Sequence, residues 1–238
     1  MYANTAIKTY DDELTNLDRM IAHMGGLAEE NLGLSFDALV NRDPEMAKQV
    51  IDKDAEIDRL EKAIEAQAIK MIANREPKEE KLRHIMTTMR IASDLERVGD
   101  LGKNMAKRAL AIANEQHPRT LLTGMSSMLD LALQQLKVVL DAYAERDTEK
   151  ALAVWHSDRK IDAYYNSLFR ELLTHMMEDP RNIGTATHLL FGAKNIERVG
   201  DHTTNIAENI YFLAKGTLLT ESRPKADDTS MTLIRQPS

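Results

Sequence analysis

The 238-residue chain contains no cysteine. Disulfides and thiolate metal sites are thereby excluded, and a reducing compartment suits it. Aromatic residues make up only 5% of the chain, with 10 Gly and 6 Pro. So few aromatic and turn-forming residues argue against a sheet-rich fold. No apolar run is long enough to cross a bilayer, so direct membrane insertion is not expected. The opening stretch MYANTAIKTYDDEL has no basic region leading into an apolar one, and does not read as a signal peptide. The cytoplasm is the expected location. The formal net charge is −7, the opposite of the basic surface that a general nucleic-acid binder needs.

What the chain does have is helix-forming composition. Hydrophobic residues reach 43% and there are 13 Met. Ala, Leu, Met, Glu, Lys and Arg favour helices, and Met fills the irregular gaps between them. Turn signals divide the chain. NRDP at 41–44 offers Asp43 as an N-cap and Pro44 as the first helical residue. NREP at 74–77 and EDP at 178–180 predict the same arrangement at Pro77 and Pro180. EQHP at 115–118 is a further break, and Asp147 reads as an N-cap. Between these breaks lie six long helical segments, with Gly25-Gly26 a candidate bend in the first. Ile91, Leu95, Val98, Gly102, Met105, Ala109 and Ile112 recur at steps of three and four, one face of a helix. Ile196, Val199, Ile206, Ile210 and Leu213 repeat that pattern later in the chain.

The second half repeats the first. SDLERVGDLGKN at 93–104 and KNIERVGDHTTN at 194–205 share Glu-Arg-Val-Gly-Asp, each with an Asn four residues after the Asp. FDALVNRD at 36–43 aligns with LDAYAERD at 140–147, and Asp54-x-x-Ile57-Asp58 aligns with Asp158-x-x-Ile161-Asp162. Three helices, duplicated, account for all of these matches. The expected architecture is all-α: two tandem three-helix bundles over 5–114 and 117–216, followed by a disordered tail over 217–238.

Residues four apart share a helix face. Glu96 and Asp100 are therefore neighbours, as are Glu197 and Asp201, Asp54 and Asp58, and Asp158 and Asp162. Like charges at this spacing destabilise a helix mildly, so solvent, a basic side chain or a metal ion should compensate. At 100° per residue, Glu96 points away from the Ile91–Ile112 stripe. It lies at the end of a second apolar line through Ile85, Met89 and Ala92, which predicts a rim or surface groove. Gly99 and Gly200 beside the acids predict the close approach of another group.

An all-oxygen ligand set favours a hard cation, Mg, Mn, Ca or Fe, with Zn also accessible. Carboxylates from neighbouring helices hold such ions in helical bundles. Asn104 and Asn205 could ligate or hold a water. His202, which follows Asp201, is a candidate to stand behind the ligands or to face a partner. His84, His156, His175 and His188 form no ligand pair and read as ordinary helix histidines. No Gly-rich phosphate loop or serine elbow is present, so no catalytic residue is expected.

With these residues in hand, the chain resembles the PhoU family, accessory and regulatory proteins of the phosphate-specific transport system. The resemblance rests on the two Glu-Arg-Val-Gly-Asp helices, and ERVGDHTTNIAENI at 197–210 is especially close to the family's second signature. It implies two pseudo-symmetric three-helix bundles and, often, a homodimer. It implies metal ions at Glu96, Asp100, Glu197 and Asp201, with Asp54, Asp58, Asp158 and Asp162 next. It also implies negative regulation of phosphate uptake and of the phosphate-starvation response, through the transporter's ATPase subunit and a sensor histidine kinase. No catalysis is implied. The residues alone also admit a carboxylate-bridged metal-dependent hydrolase, or a metal-free helical scaffold. The copies differ: Asp94 against Asn195, Lys103 against Thr204, Lys107 against Glu208. The two sites are therefore expected to differ in metal number or affinity.

Overall fold

A computed structural model describes residues 2–115 and 119–221. It contains six long helices: α1 (Tyr2–Asn41), α2 (Pro44–Arg75), α3 (Glu79–Ala111), α4 (Arg119–Glu145), α5 (Thr148–Glu178) and α6 (Ile183–Lys215). No strand occurs among the described residues. Helices α1, α2 and α3 pack on one another, as do α4, α5 and α6. The two bundles join through α3 against α6 and α1 against α4. The expected all-α pair of three-helix repeats is the observed fold.

The stripes read from the sequence form the core. Ile57, Ile64, Ile91, Leu95 and Val98 are buried in the first bundle, and Ile161, Ile196, Val199, Ile206 and Ile210 in the second. One continuous apolar cluster runs through both, so the repeats share a core. Gly25 and Gly26 do not interrupt α1. A Cβ on Gly25 would lie 2.7 Å from a methyl of Leu140. The glycine therefore serves the close crossing of α1 and α4, where the sequence suggested a bend.

Two helix starts follow the sequence reading. Asp43 accepts from the backbone N–H of Glu45 and Met46 ahead of Pro44. Asp147 accepts from Glu149 and Lys150. Both caps follow an arginine with positive φ, Arg42 at 52° and Arg146 at 57°, so the two repeats make the same turn. Two starts differ. Pro77 lies before α3, which begins at Glu79 behind Lys78 with no side-chain cap. Pro180 opens a 3₁₀ turn, Pro180–Asn182, and α6 follows from Ile183. In each case proline's fixed φ supports an extra loop residue or turn before the helix is entered. Pro118 and residues 222–238 lie outside the described residues. Residues 217–221 carry no helix.

A polar network ties the repeats together at the α1–α3–α4 junction. The Tyr143 hydroxyl donates to Asp18 Oδ1 at 2.6 Å, and Arg146 Nη2 donates to Asp18 Oδ2 at 3.1 Å. His84 Nε2 lies 2.8 Å from Asp18 Oδ1 and 2.6 Å from Arg146 Nη2. Thr88 Oγ1 closes the network on the Tyr143 hydroxyl at 2.9 Å. His84, read from the sequence as an ordinary histidine, is thus satisfied between the two halves. Burial pushes the Asp18 carboxyl upward, but hydrogen bonds from His84 and Tyr143 and the charges of His84 and Arg146 outweigh it. The group lies below its ordinary value. The Tyr143 hydroxyl is raised by its own burial and by the adjacent Asp18.

Two candidate acidic sites

Each repeat builds the same acidic site between its second and third helices. In the first, Asp54 on α2 faces Gly99 on α3. A Cβ at Gly99 would sit 3.2 Å from Asp54 Oδ1 and 2.8 Å from Ile57 Cδ1. In the second, a Cβ at Gly200 would sit 3.2 Å from Asp158 Oδ1 and 2.9 Å from Ile161 Cδ1. The glycine of the repeated pentapeptide therefore lets an isoleucine and a carboxylate of the preceding helix reach the backbone of the next. The sequence anticipated close approach at these glycines. The structure identifies the approaching groups, and they are the same in both halves.

The eight acids are not equally buried. Asp54 and Asp158 are each 2% exposed, Asp162 3% and Glu197 4%. Glu96, Asp58, Asp100 and Asp201 are partly buried. Three of the four second-helix aspartates, Asp54, Asp158 and Asp162, are among the deepest carboxylates of the site. The cause is the three-residue offset from the core isoleucines: Ile57 and Ile161 point inward, and Asp54 and Asp158 lie about one turn earlier on the same side.

The charges interact. Burial raises the Asp54 carboxyl, the nearby Asp58 and Asp100 add to this, and Lys103 opposes it. Burial also raises Glu96, with Asp100, Glu61 and Asp58 adding repulsion against the help of Arg97. Lys103 Nζ donates to Asp54 Oδ2 at 2.6 Å and lies 3.4 Å from Asp100 Oδ1. Hydrogen bonding to Asp54 holds its ammonium above the ordinary lysine value. In the second repeat the residue at that position is Thr204, whose hydroxyl donates to its own helix at Gly200 O, 2.9 Å away. Lys194 instead reaches Glu197 at 3.0 Å and lies over the ring of Tyr165.

The other candidates are placed differently. His202 Nδ1 lies 2.9 Å from Asp94 Oδ1, and Asn205 Nδ2 donates to the same oxygen at 3.2 Å. Both therefore bridge to the first repeat, a role that their spacing from Asp201 did not reveal. Asn104 is exposed. The copy differences at 94 and 195 now have a physical reason. The position matching His202 in the first repeat is Leu101, which is buried and apolar. Leu101 can balance no charge, and the residue matching Asp94 is the neutral, buried Asn195.

The match to known proteins runs through both halves. The family model described as the PhoU domain matches residues 21–109 and again 125–210. The chain belongs to the PhoU family. It is 55% identical over 224 residues, 94% of each chain, to a phosphate-specific transport system accessory protein PhoU homolog of Rhizobium meliloti (strain 1021). It is 46% identical over 222 residues to the homolog of Caulobacter vibrioides (strain NA1000 / CB15N), covering 93% of this chain and 96% of the relative. Among solved structures, PhoU from Pseudomonas aeruginosa superposes with a TM-score of 0.81 at 32% identity, over 87% of this chain and all of the other. The phosphate transport system regulatory protein PhoU from Streptococcus pneumoniae also gives 0.81, at 30% identity, over 89% of this chain and all of the other.

The acidic residues supply oxygen donors, the kind that hard cations take. Each site offers four carboxylates on two adjacent helices, with the deepest packed against the backbone of the pentapeptide glycine. Among the described residues, no three acidic or histidine side chains already converge on one point. The carboxylates form a strip along the α2–α3 and α5–α6 seams.

Proposed function

We propose that this chain restrains phosphate uptake and the phosphate-starvation response by contact, as a metal-binding adaptor between the phosphate transporter's ATPase subunit and a sensor histidine kinase. The observation that carries this reading is the near full-length relationship, both repeats included, to accessory proteins of the phosphate transport system. The two acidic seams support the metal part. Glu96, Asp100, Asp54 and Asp58 would hold ions in the first repeat, and Glu197, Asp201, Asp158 and Asp162 in the second. Bound Mg, Mn, Fe or Zn would neutralise carboxylates that now repel one another and would clamp the second helix of each repeat to the third. The protein's own residues set the position of those helices, and no chemical step is required of them. The adaptor would work in the cytoplasm, as a homodimer.

Phosphate uptake and alkaline phosphatase expression in a strain lacking this protein test the reading. Return of the wild-type gene is expected to lower both when phosphate is plentiful. Tagged protein should also retain the ATPase subunit and the kinase from membranes. Unchanged uptake and unchanged phosphatase on return of the gene would sink the regulatory reading.

A further inference from the structure

The antiparallel contact of α3 with α6 carries a polar group at each end. Spacing of seven puts Asp94, Leu101 and Arg108 on one stripe of α3, and His188, Asn195 and His202 on one stripe of α6. At one end Asp94 and His202 are hydrogen-bonded at 2.9 Å. At the other, the Arg108 guanidinium stacks on the ring of Phe191, 4.6 Å from its centre. Phe191 lies three residues after His188 and four before Asn195, so it shares their helix face. Three side-chain nitrogens at this end are buried with no hydrogen-bond partner among the described residues: Arg108 Nε, His188 Nδ1 and Asn195 Nδ2. Burial pulls the Arg108 guanidinium below the ordinary arginine value, and no carboxylate opposes it. Buried donors without an acceptor are costly. The arginine and amide nitrogens can only donate, and the imidazole nitrogen donates when it carries the proton. A guanidinium stacked by its face on an aromatic ring keeps its N–H edge for an acceptor. Phe191 is 49% exposed, and Arg108 and His188 are only partly buried, so solvent reaches the rim of this group.

We infer that Arg108, His188 and Asn195 form a binding site for a small tetrahedral oxyanion of the phosphate class, set across the contact between the two repeats. Arg108 supplies the charge and the guanidinium edge, His188 an Nδ1–H and Asn195 an amide N–H. Donors carried by two helices approach from more than one side. Four oxygens at the corners of a tetrahedron suit them better than the two of a planar carboxylate. Arg108 belongs to the first repeat, and His188 and Asn195 to the second, so a bound anion ties the repeats together. Neither acidic seam contributes a residue, and the inference does not depend on metal binding.

Thermal melts of the full chain in rising inorganic phosphate test it, with ionic strength held constant by chloride. Wild type is expected to melt about 5–10 °C higher when phosphate is about a hundredfold above its Kd. Isothermal titration calorimetry should give the same Kd. Arg108→Met keeps a stem over Phe191 but removes the charge, and should lose both the shift and the heat. Lys107→Met removes the same charge from the exposed neighbouring position and should keep both. If Arg108→Met does not fold, His188→Ala decides, with binding expected to weaken by about tenfold or more. No shift in wild type overturns the site, as does an equal shift in folded Arg108→Met and Lys107→Met, or unchanged binding by His188→Ala. Sulfate should compete with phosphate and acetate should not. Equal competition by acetate overturns the tetrahedral assignment.

Discussion

His202 of the second repeat and Asp94 of the first are hydrogen-bonded across the α3–α6 contact, Nδ1 to Oδ1 at 2.9 Å. Both side chains are largely buried, so neither is readily rehydrated if the other is lost. Asp94→Ala is expected to cost about 1–3 kcal/mol, the penalty for leaving buried polar partners unmatched. Combined with His202→Ala in a double-mutant cycle by urea unfolding, the pair should couple by about 0.5–3 kcal/mol. Strictly additive losses would show that the two residues do not act together.

Asp18 gives the junction a pH dependence with a definite sign. Its folded-state carboxyl lies below the ordinary value of 3.8. Its contribution is therefore fully present above that value and is lost as pH falls through the lower, folded one. The stability gap between wild type and Asp18→Asn should be constant near neutrality and should narrow as pH falls below about 4. Denaturant midpoints between pH 2 and 7 measure it. A gap that widens toward acid would contradict the assignment.

The glycines separate into two kinds. Gly26 has open space where a Cβ would go, so Gly26→Ala should stabilise α1 by about 0.5–1 kcal/mol. Gly99→Ala gains the same helix propensity but drives a methyl against the fully buried Ile57. Overpacking a tight core costs about 1–3 kcal/mol, so this variant should be less stable than wild type. Thermal melts of the two variants should move in opposite directions.

Trp155, the single tryptophan, reports on the second seam. It is buried in α5, one turn before Asp158, and donates from Nε1 to Glu208 Oε1 at 2.8 Å. Paramagnetic Mn bound at the second seam should quench its fluorescence. Asp158→Asn with Asp201→Asn should abolish that response without changing the emission maximum of the metal-free protein. Equal quenching in both proteins would place the Mn elsewhere.

The repeat, the six helices and the acidic pairs were all legible from local rules. Capping aspartates, the 3.6-residue apolar period and a duplicated pentapeptide each act within a few residues of chain. The burial of the acids was not legible. Asp54 and Asp158 are both almost fully buried. Their burial depends on Gly99 and Gly200, some 40 residues away on the next helix. His202 and Asn205 looked like companions of Asp201 because they are near it in sequence. Their partner, Asp94, is brought to them by the antiparallel packing of α3 on α6.

By itself, then, the sequence determined the helical class, the duplication, the caps at Asp43 and Asp147 and the residue types of both acidic seams, because composition and periodicity act locally. Only the tertiary structure decided which charges meet. The Lys103–Asp54 pair, the Asp94–His202 bond and the Asp18 network each join residues 49 or more positions apart. The partner of a buried charge is set by which helices pack and in what direction, and no short stretch of sequence carries that information.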